Sequence, residues 1–138
     1  MSRPRKYSVV QIPPRVKGFI PVGYYSDKAD PVLLNVEEFE VIRLLDYEDL
    51  SQESAAEIME ISRPTLTRIY SRARKKLAQT ITESRQIKIE GGKAIFSSSW
   101  YECKTCLSSF NSTQSATVNV CPLCNSTQIE NYREINQE

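Results

Sequence analysis

The stretch from Ser62 to Leu77 constrains the fold most, because it combines helical periodicity with strong positive charge. Its apolar residues recur at steps of three and four, so they fall on one face of an α-helix. They are Leu66, Ile69, Tyr70, Ala73 and Leu77. Ser62 can cap the first turn, where Pro64 is also tolerated because the first N–H groups of a helix lack helical partners. The pattern predicts a helix that begins after Ser62 and ends between Glu83 and Arg85.

The same stretch carries six basic residues and no acidic one. They are Arg63, Arg68, Arg72, Arg74, Lys75 and Lys76. Like charges repel each other unless an anion is present, and the phosphates of DNA supply such an anion. A shorter helix, predicted to be capped by Ser51, ends just before Glu60, so a tight turn joins the two helices. This arrangement is typical of a helix-turn-helix, whose second helix enters the major groove; the alternative is a solvated basic helix in a plain bundle.

The predicted DNA contacts lie on the polar face of this helix and at the start of the preceding one. Arg68 is expected to read a base, while Ser51 and Gln52 at a helix N-terminus would hold a phosphate. A basic N-terminal arm would add phosphate or minor-groove contacts; the alternative is a disordered solubilising tail. The full predicted set is Arg3, Arg5, Ser51, Gln52, Arg63, Pro64, Thr65, Thr67, Arg68, Ser71, Arg72 and Lys75.

An acidic helix is predicted upstream, beginning after Leu34 and ending near Tyr47. Asn35 can cap it, and Glu38 three residues later completes a capping box. Its acidic residues are predicted to form a solvated face directed away from DNA. In an alternative interpretation, this acidic face binds a basic partner such as a subunit of RNA polymerase.

Two β-like runs flank the Gly91-Gly92 pair. Such a pair supplies the positive φ angles of a type I′ turn, so the pattern predicts a β-hairpin. Pairing across the turn would place Ile89 opposite Ala94 and Ile87 opposite Phe96. A short apolar patch nearer the N-terminus, from Tyr7 to Ile12, is predicted to pair as an edge strand.

Four cysteines form two pairs, each with two residues between its members, and fourteen residues separate the pairs. They are Cys103, Cys106, Cys121 and Cys124. Two such knuckles can surround one ion with four thiolates, and a closed tetrahedral site of this kind suits structural zinc. Iron in place of zinc, a redox role for the cysteines and disulfides in a secreted protein are the alternatives.

The predicted apolar cover of this cysteine module is small. It consists of Trp100, Tyr101, Phe110, Val118, Val120 and Ile129. A core of this size predicts that the module depends on metal for folding. Four protein ligands leave no open position on the ion, and the chain contains no histidine to act as a general base. We therefore expect no enzymatic activity.

Charge and hydropathy indicate the compartment and partners. The formal net charge of +1 hides a basic N-terminus, an acidic block from Asp27 to Glu60, and the basic helix that follows. No apolar run approaches the length needed to span a bilayer, and no secretory signal is recognisable. These features predict a cytoplasmic protein that does not enter a membrane. Because cytoplasmic thiols stay reduced, metal ligation is favoured over disulfides.

Between Leu34 and Gly92 the sequence resembles a prokaryotic family catalogued as uncharacterised protein family 0251, or domain of unknown function 134. The resemblance rests on Arg3-Pro4; Phe19, Pro21 and Gly23; Glu37-Glu38-Phe39-Glu40 with Arg43-Leu44 and Asp46; Leu50-Ser51-Gln52-Glu53 with Ala55-Ala56; Ile61-Ser62-Arg63 with Thr65, Arg68 and Ile69; Ala73-Arg74-Lys75-Lys76; and Ile89-Glu90-Gly91-Gly92. The family usually has Gly where Asp49 and Glu60 stand here. The resemblance implies a DNA-binding transcriptional regulator, and the helix pair is also similar to the sigma-factor region that reads a promoter element.

Together these patterns predict a mainly α-helical chain. We expect an extended basic arm over residues 1–33, a helix-turn-helix domain with a C-terminal hairpin over 34–97, and a zinc-ribbon-like β module over 98–138. The expected function is sequence-specific binding of double-stranded DNA to regulate transcription. The alternatives are a non-enzymatic adaptor that docks on the transcription machinery and a regulator that responds to metal or redox state. A homodimer is left open, because no heptad or exposed apolar strip identifies an interface.

Overall fold

Three α-helices and eight short strands form the part of the chain that this computed structural model describes, residues 7–25, 29–96, 99–112 and 119–131. The helices are α1 (Val36–Ile42), α2 (Gln52–Met59) and α3 (Arg63–Glu83), and a π-helical turn, Arg43–Tyr47, follows α1 directly. The strands are β1 (Ser8–Val10), β2 (Gly18–Phe19), β3 (Val32–Leu34), β4 (Ile87–Ile89), β5 (Ala94–Phe96), β6 (Ser99–Cys103), β7 (Ser109–Ser112) and β8 (Ile129–Asn131).

The prediction of a mainly α-helical fold is wrong. The strands form three small sheets, in the orders β1-β5, β2-β4-β3 and β7-β6-β8. Three strands from the first 34 residues pair with strands that follow α3, so sheet structure lies on both sides of the helices in the sequence. The early strands are only two or three residues long, and such short runs give little periodic signal.

The predicted hairpin around Gly91-Gly92 is also wrong, because β4 and β5 belong to different sheets. β4 lies between β2 and β3, antiparallel to the first and parallel to the second. β5 pairs instead with β1, in parallel, over Ser8–Val10, so the predicted edge strand near the N-terminus is confirmed.

The glycine pair packs against the start of α1 instead of turning a hairpin. The Gly91 carbonyl accepts a hydrogen bond from the Val36 N–H at 3.1 Å. A Cβ on Gly92, whose φ is +95°, would lie 2.7 Å from the Asn35 Cβ and 3.0 Å from Glu37 Oε1. The second glycine is therefore required by a close approach as well as by its backbone angle.

The predicted helix boundaries are confirmed. Each helix begins after the residue that was predicted to cap it. Asn35 and Glu38 form the reciprocal capping box of α1. Ser51 accepts from the Ser54 N–H at the start of α2, and Ser62 accepts from the Thr65 N–H at the start of α3. α3 ends at Glu83, within the predicted interval.

The helices bury two apolar clusters. The first contains Val41, Leu44, Ala55, Ala56, Met59, Leu66 and Ile69, and it joins α1, the π-helical turn and the helix pair. The second contains Val32, Leu34, Ala73, Ile87 and Ile89, and it joins α3 to β3 and β4. Because successive turns of α3 face these two clusters, the helix is held along most of its apolar stripe.

The acidic residues near the start of α1 do not form a solvated face. Glu37, Glu38 and Glu40 are all 0% exposed, and each accepts hydrogen bonds from elsewhere in the chain. Glu40, for example, accepts from the Gln11 N–H at 2.7 Å and from Arg43 Nε at 2.6 Å. Buried carboxylates of this kind need such partners because they have lost water. The expectation of solvent exposure failed because these partners come from distant residues.

No helix in the described ranges is both long enough and apolar enough to cross a bilayer.

Candidate nucleic-acid interface and metal centre

The turn between α2 and α3 depends on one left-handed residue. Glu60 has φ 53° and ψ 43°, and the next residue, Ile61, donates its N–H to the Ala56 carbonyl at 3.1 Å. Asp49, before α2, also has a positive φ of 58°. Both are positions where glycine would carry less strain. Glu60 therefore carries backbone strain in the three-residue turn between α2 and α3, and Asp49 carries it in the connection that precedes α2.

The predicted DNA-contacting residues of α3 lie together on its outward face. Those that are exposed are Arg63, Pro64, Thr67, Arg68, Ser71, Arg72 and Lys75, while Thr65 is half-buried. At the start of α2, Ser51 is exposed and Gln52 is half-buried. Thr67 Oγ1 donates to Gln52 Oε1 at 2.7 Å, so the two helices meet at this surface. Arg3 and Arg5 lie outside the described residues.

Other elements supply acids to the basic helix. Glu53 of α2 pairs with Arg63 at 3.0 Å, and Glu38 of α1 pairs with Lys76 at 2.6 Å and with Arg72 at 3.7 Å. Acids within the chain therefore neutralise part of the positive charge of α3, and only the rest would need an external anion.

The remaining cations of α3 differ in their surroundings. Arg74 lies over the ring of Tyr70, 5.3 Å from its centroid. Within the described ranges Arg68 and Lys75 form no ion pair, and Arg68 Nη2 donates only to Thr65 Oγ1, at 3.2 Å. Arg68 and Lys75 are thus exposed cations whose charge no acid of the described residues neutralises.

Tyr70 joins α3 to the π-helical turn. Its hydroxyl donates to Asp46 at 2.9 Å. That hydrogen bond, with partial burial and the negative charge of Asp46, raises the pKa of Tyr70 above its usual value of 10.0. This hydrogen bond connects the π-helical turn to the helix that presents the basic face.

Two matching knuckles position the four cysteines. In the first, the Cys103 N–H donates to the Ser108 carbonyl and the Leu107 N–H donates to the Cys103 carbonyl. In the second, Cys121 makes the equivalent bonds with Ser126 and Asn125. The residue after each pair is left-handed, Leu107 at φ 63° and Asn125 at φ 61°. The same left-handed conformation therefore closes both knuckles.

The four sulfurs are spaced for one metal ion. All lie within 4.8 Å of one another, with Cys103 and Cys124 Sγ 3.6 Å apart and Cys106 and Cys121 Sγ 3.7 Å apart. Zinc–sulfur bonds of about 2.3 Å place tetrahedral sulfurs roughly 3.8 Å apart. The observed separations are close to this spacing and far longer than a disulfide bond. The cluster therefore can hold a metal ion.

Backbone N–H groups favour the thiolate forms of two of these cysteines. The Cys106 N–H, at 3.4 Å from Cys103 Sγ, is the main cause that lowers the pKa of Cys103. Burial is the largest influence on Cys121 and opposes its ionisation. The N–H groups of Cys124 and Leu123, with the side chains of Ser108 and Cys106, together lower the pKa of Cys121 to about 6. Metal ligation uses the thiolate, so this environment suits a bound cation.

Cys124 behaves in the opposite way. The Ser126 N–H favours its thiolate, but burial and the neighbouring sulfurs raise the pKa of Cys124 to about 12. Four adjacent sulfurs cannot all ionise without a cation among them, because like charges repel at this distance.

Two features of the cysteine module were not predicted. Lys104 lies between Glu102 and Glu130, which face each other across β6 and β8, at 3.3 Å and 3.2 Å from their carboxylates. The hydrogen bond that Lys104 donates to Glu130 is the main cause that raises the pKa of Lys104. Trp100 was expected to cover the metal site, but it packs beside Val10, Val36 and Phe96 instead.

The sequence analysis also did not predict that a buried glutamate of α1 pairs with basic residues of α3. Two basic residues of α3, Arg72 and Lys76, pair with Glu38. The local pattern did not indicate this pairing, because Glu38 and Lys76 are 38 residues apart in the sequence.

The fold and site thus define a chain with a helix-turn-helix-like pair beside two small sheets, followed by a four-cysteine module able to hold a metal. The sequence model of the family described as "Protein of unknown function DUF134" matches residues 1–97. The chain belongs to this family.

Curated relatives of the chain are named UPF0251 proteins. One from Chloroherpeton thalassium is 38% identical over 133 residues, covering 96% of this chain and 88% of the relative. One from Clostridium acetobutylicum is 36% identical over 129 residues, covering 94% and 90%. One from Thermoanaerobacter pseudethanolicus is 47% identical over 92 residues, covering 67% and 78%. No solved structure is significantly similar to this chain.

Proposed function

We propose that this chain is a sequence-specific DNA-binding regulator of transcription that places α3 in the major groove. The observation that supports the proposal is the outward face of α3. It presents exposed basic and hydroxyl side chains on a helix that a three-residue turn joins to α2. A helix-turn-helix presents its recognition helix in the same manner.

Arg68 is the proposed base-reading residue, because its guanidinium is exposed and no acid among the described residues pairs with it. Arginine reads guanine through two parallel hydrogen bonds in the major groove. Lys75, two turns further along, is proposed to contact phosphate. Ser51 caps α2 at the same surface, where helix N–H groups favour a phosphate oxygen.

The four cysteines are proposed to hold one structural zinc ion. Its role would be to fix β6, β7 and the second knuckle, since a site with four protein ligands leaves no position for a substrate. Iron is the second choice, because cysteine-only sites accept both metals. The double-stranded DNA partner and a cytoplasmic location follow from the same proposal.

The test is selection of bound duplexes from a random DNA pool by the purified zinc-loaded chain, at one fixed salt concentration. The proposal expects a reproducible sequence motif, recovered far above its background frequency. The same selection with Arg68→Ala serves as the control and should lose one or two positions of the motif. Recovery of unenriched sequences, or no binding at low salt, would refute the proposal.

A metal-responsive regulator is the second candidate, and the position of Trp100 favours it. This residue precedes Cys103 by three positions on β6, and its Nε1 donates to the Gln11 carbonyl at 3.1 Å. Gln11 in turn binds Glu40 of α1. A change at the metal site would therefore reach the helices through one strand. DNA binding that depends on chelator or oxidant would distinguish this candidate from a purely structural zinc site.

The adaptor alternative could use either the acidic helix or the cysteine module to meet RNA polymerase. Glu37, Glu38 and Glu40 of the acidic helix are buried and cannot form such a contact. The cysteine module remains as a surface for this alternative.

A further inference from the structure

Glu38 lies beneath the basic face of α3 and is fully buried. Its Oε1 accepts hydrogen bonds from the Asn35 N–H at 2.9 Å and from Lys76 Nζ at 2.6 Å. Its Oε2 has no hydrogen-bond partner among the described residues, and Arg72 Nε lies 3.7 Å from it. One buried carboxylate therefore faces two cations of the proposed DNA-binding helix.

The two cations are unequal. Arg72 and Lys76 are four residues apart, so they lie on the same side of α3. The Lys76 ammonium makes a short bond to the carboxylate, and its side chain is 30% exposed. The Arg72 side chain is 49% exposed, and its Nε lies 3.7 Å from Glu38 Oε2, beyond hydrogen-bonding distance. Arg72 is therefore the more exposed and the more loosely paired of the two cations.

This difference matters for phosphate binding. A lysine or arginine that neutralises a DNA phosphate releases a counterion, which gives binding its salt dependence. A lysine already neutralised by a buried carboxylate cannot do so without leaving that carboxylate unpaired, and this is costly. Lys75, the neighbouring residue, is exposed and has no ion pair within the described ranges.

We propose that Glu38 is a positioning residue for the DNA-binding surface. It withdraws Lys76 from phosphate contact and pairs only loosely with Arg72, whose side chain stays half exposed. The adjacent lysines of α3 then have different roles, Lys75 as a phosphate contact and Lys76 as the counterion of Glu38. This inference rests on the proposed DNA-binding function.

The test measures how the dissociation constant of the full chain for one mixed-sequence duplex depends on salt. The proteins are the wild type, Lys75→Met and Lys76→Met, the last two as a matched pair that keeps most of the aliphatic side chain. Lys75→Met should lower the slope of log Kd against log salt by about one. Lys76→Met should leave the slope unchanged.

The same measurements are repeated in the Glu38→Gln background. Glutamine keeps an oxygen for the Asn35 N–H but removes the charge. We expect Glu38→Gln alone to raise the slope by about one, because Lys76 is released to bind phosphate. In this background Lys76→Met should lower the slope, whereas in the wild-type background it should leave the slope unchanged. A role of Glu38 in folding alone would not produce this reversal.

The outcomes separate the inference from the function on which it rests. If Lys76→Met lowers the slope of the wild type as much as Lys75→Met does, the inference is overturned while DNA binding stands. If Glu38→Gln fails to fold, the salt slopes of Lys75→Met and Lys76→Met in the wild-type background still test the inference. If the wild type binds no duplex, the proposed function fails and the inference fails with it.

Discussion

Two regions of the chain are stabilised in different ways: the helical unit, which is the described part of residues 7–96, and the cysteine module, which is the described part of residues 99–131. The helices close two apolar clusters, with Leu66, Ile69 and Ala73 of α3 at most 1% exposed. In the described residues from 99 onward, only Glu102, Cys103 and Cys121 are buried. The first region is held by packing, which is distributed over many side chains. The second has little to pack, so its four sulfurs must supply the stability.

Removal of metal gives the largest expected effect and tests this comparison directly. We expect one zinc per chain, and chelation should unfold the cysteine module while α3 stays helical, because no apolar cluster of the helices includes a cysteine ligand. Metal analysis and amide NMR spectra would follow the two regions separately. A Cys121→Ser variant should behave like the chelated protein. Unchanged spectra from residues 99–131 after metal removal would contradict the comparison.

Truncation of a packed residue in α3 should affect the helical unit instead. Leu66→Ala is expected to lower the free energy of unfolding by about 2–5 kcal/mol, because Leu66 is 0% exposed. Ile81→Ala on the same helix is the control, because Ile81 is 80% exposed and its loss should cost less than about 0.5 kcal/mol. Chemical denaturation followed by circular dichroism measures both. Equal effects of the two changes would argue against packing as the main source of stability.

The glycine pair tests the contribution of packing at a single contact, between Gly92 and Asn35. Gly92→Ala should cost about 2–4 kcal/mol, because the methyl group would overlap Asn35 at an unfavourable backbone angle. Gly91→Ala is the matched control. Its φ is +76°, but nothing lies within 4 Å of an added Cβ, so backbone strain of about 1–2 kcal/mol should be its only cost. Thermal unfolding compares the stability of the two variants. A larger loss in Gly92→Ala than in Gly91→Ala would show that the contact with Asn35 adds to the backbone strain.

Arg68→Ala should have the smallest effect and should leave stability unchanged. Because Arg68 is proposed to read a base, its loss should reduce discrimination between the selected site and unrelated DNA by about 1–3 kcal/mol. Lys75→Ala should weaken binding to both DNAs alike. Competition binding at fixed salt compares the two variants. Unchanged sequence preference in the Arg68 variant would exclude this role.

Local features of the fold could be predicted because a few neighbouring residues determine them. The caps at Asn35, Ser51 and Ser62 need only a side-chain oxygen and an N–H three residues later. The cysteine knuckles need only their spacing, and the four sulfurs do lie together. In each case the partners are close in sequence, so the pattern itself contains the interaction.

The errors concern partners that are distant in sequence. The Gly91-Gly92 pair satisfies the local requirement for a hairpin, yet β4 pairs with β2 and β3, which begin more than fifty residues earlier. The burial of Glu37 has the same origin, since its Oε1 accepts from the Lys93 N–H, which is 56 residues away. A local turn signal cannot reveal that other strands compete for the same edge.

The sequence by itself determined the helices, their boundaries, the apolar stripe of α3 and the cysteine cluster, because these depend on periodicity, capping and short spacing. Only the tertiary structure decided which strands pair, which acids are buried and which cations of α3 remain free. Lys75 and Lys76 are adjacent and chemically identical, but one faces solvent and the other faces Glu38. Their surroundings differ because a helix turns by about 100° per residue, so neighbouring side chains meet different parts of the fold.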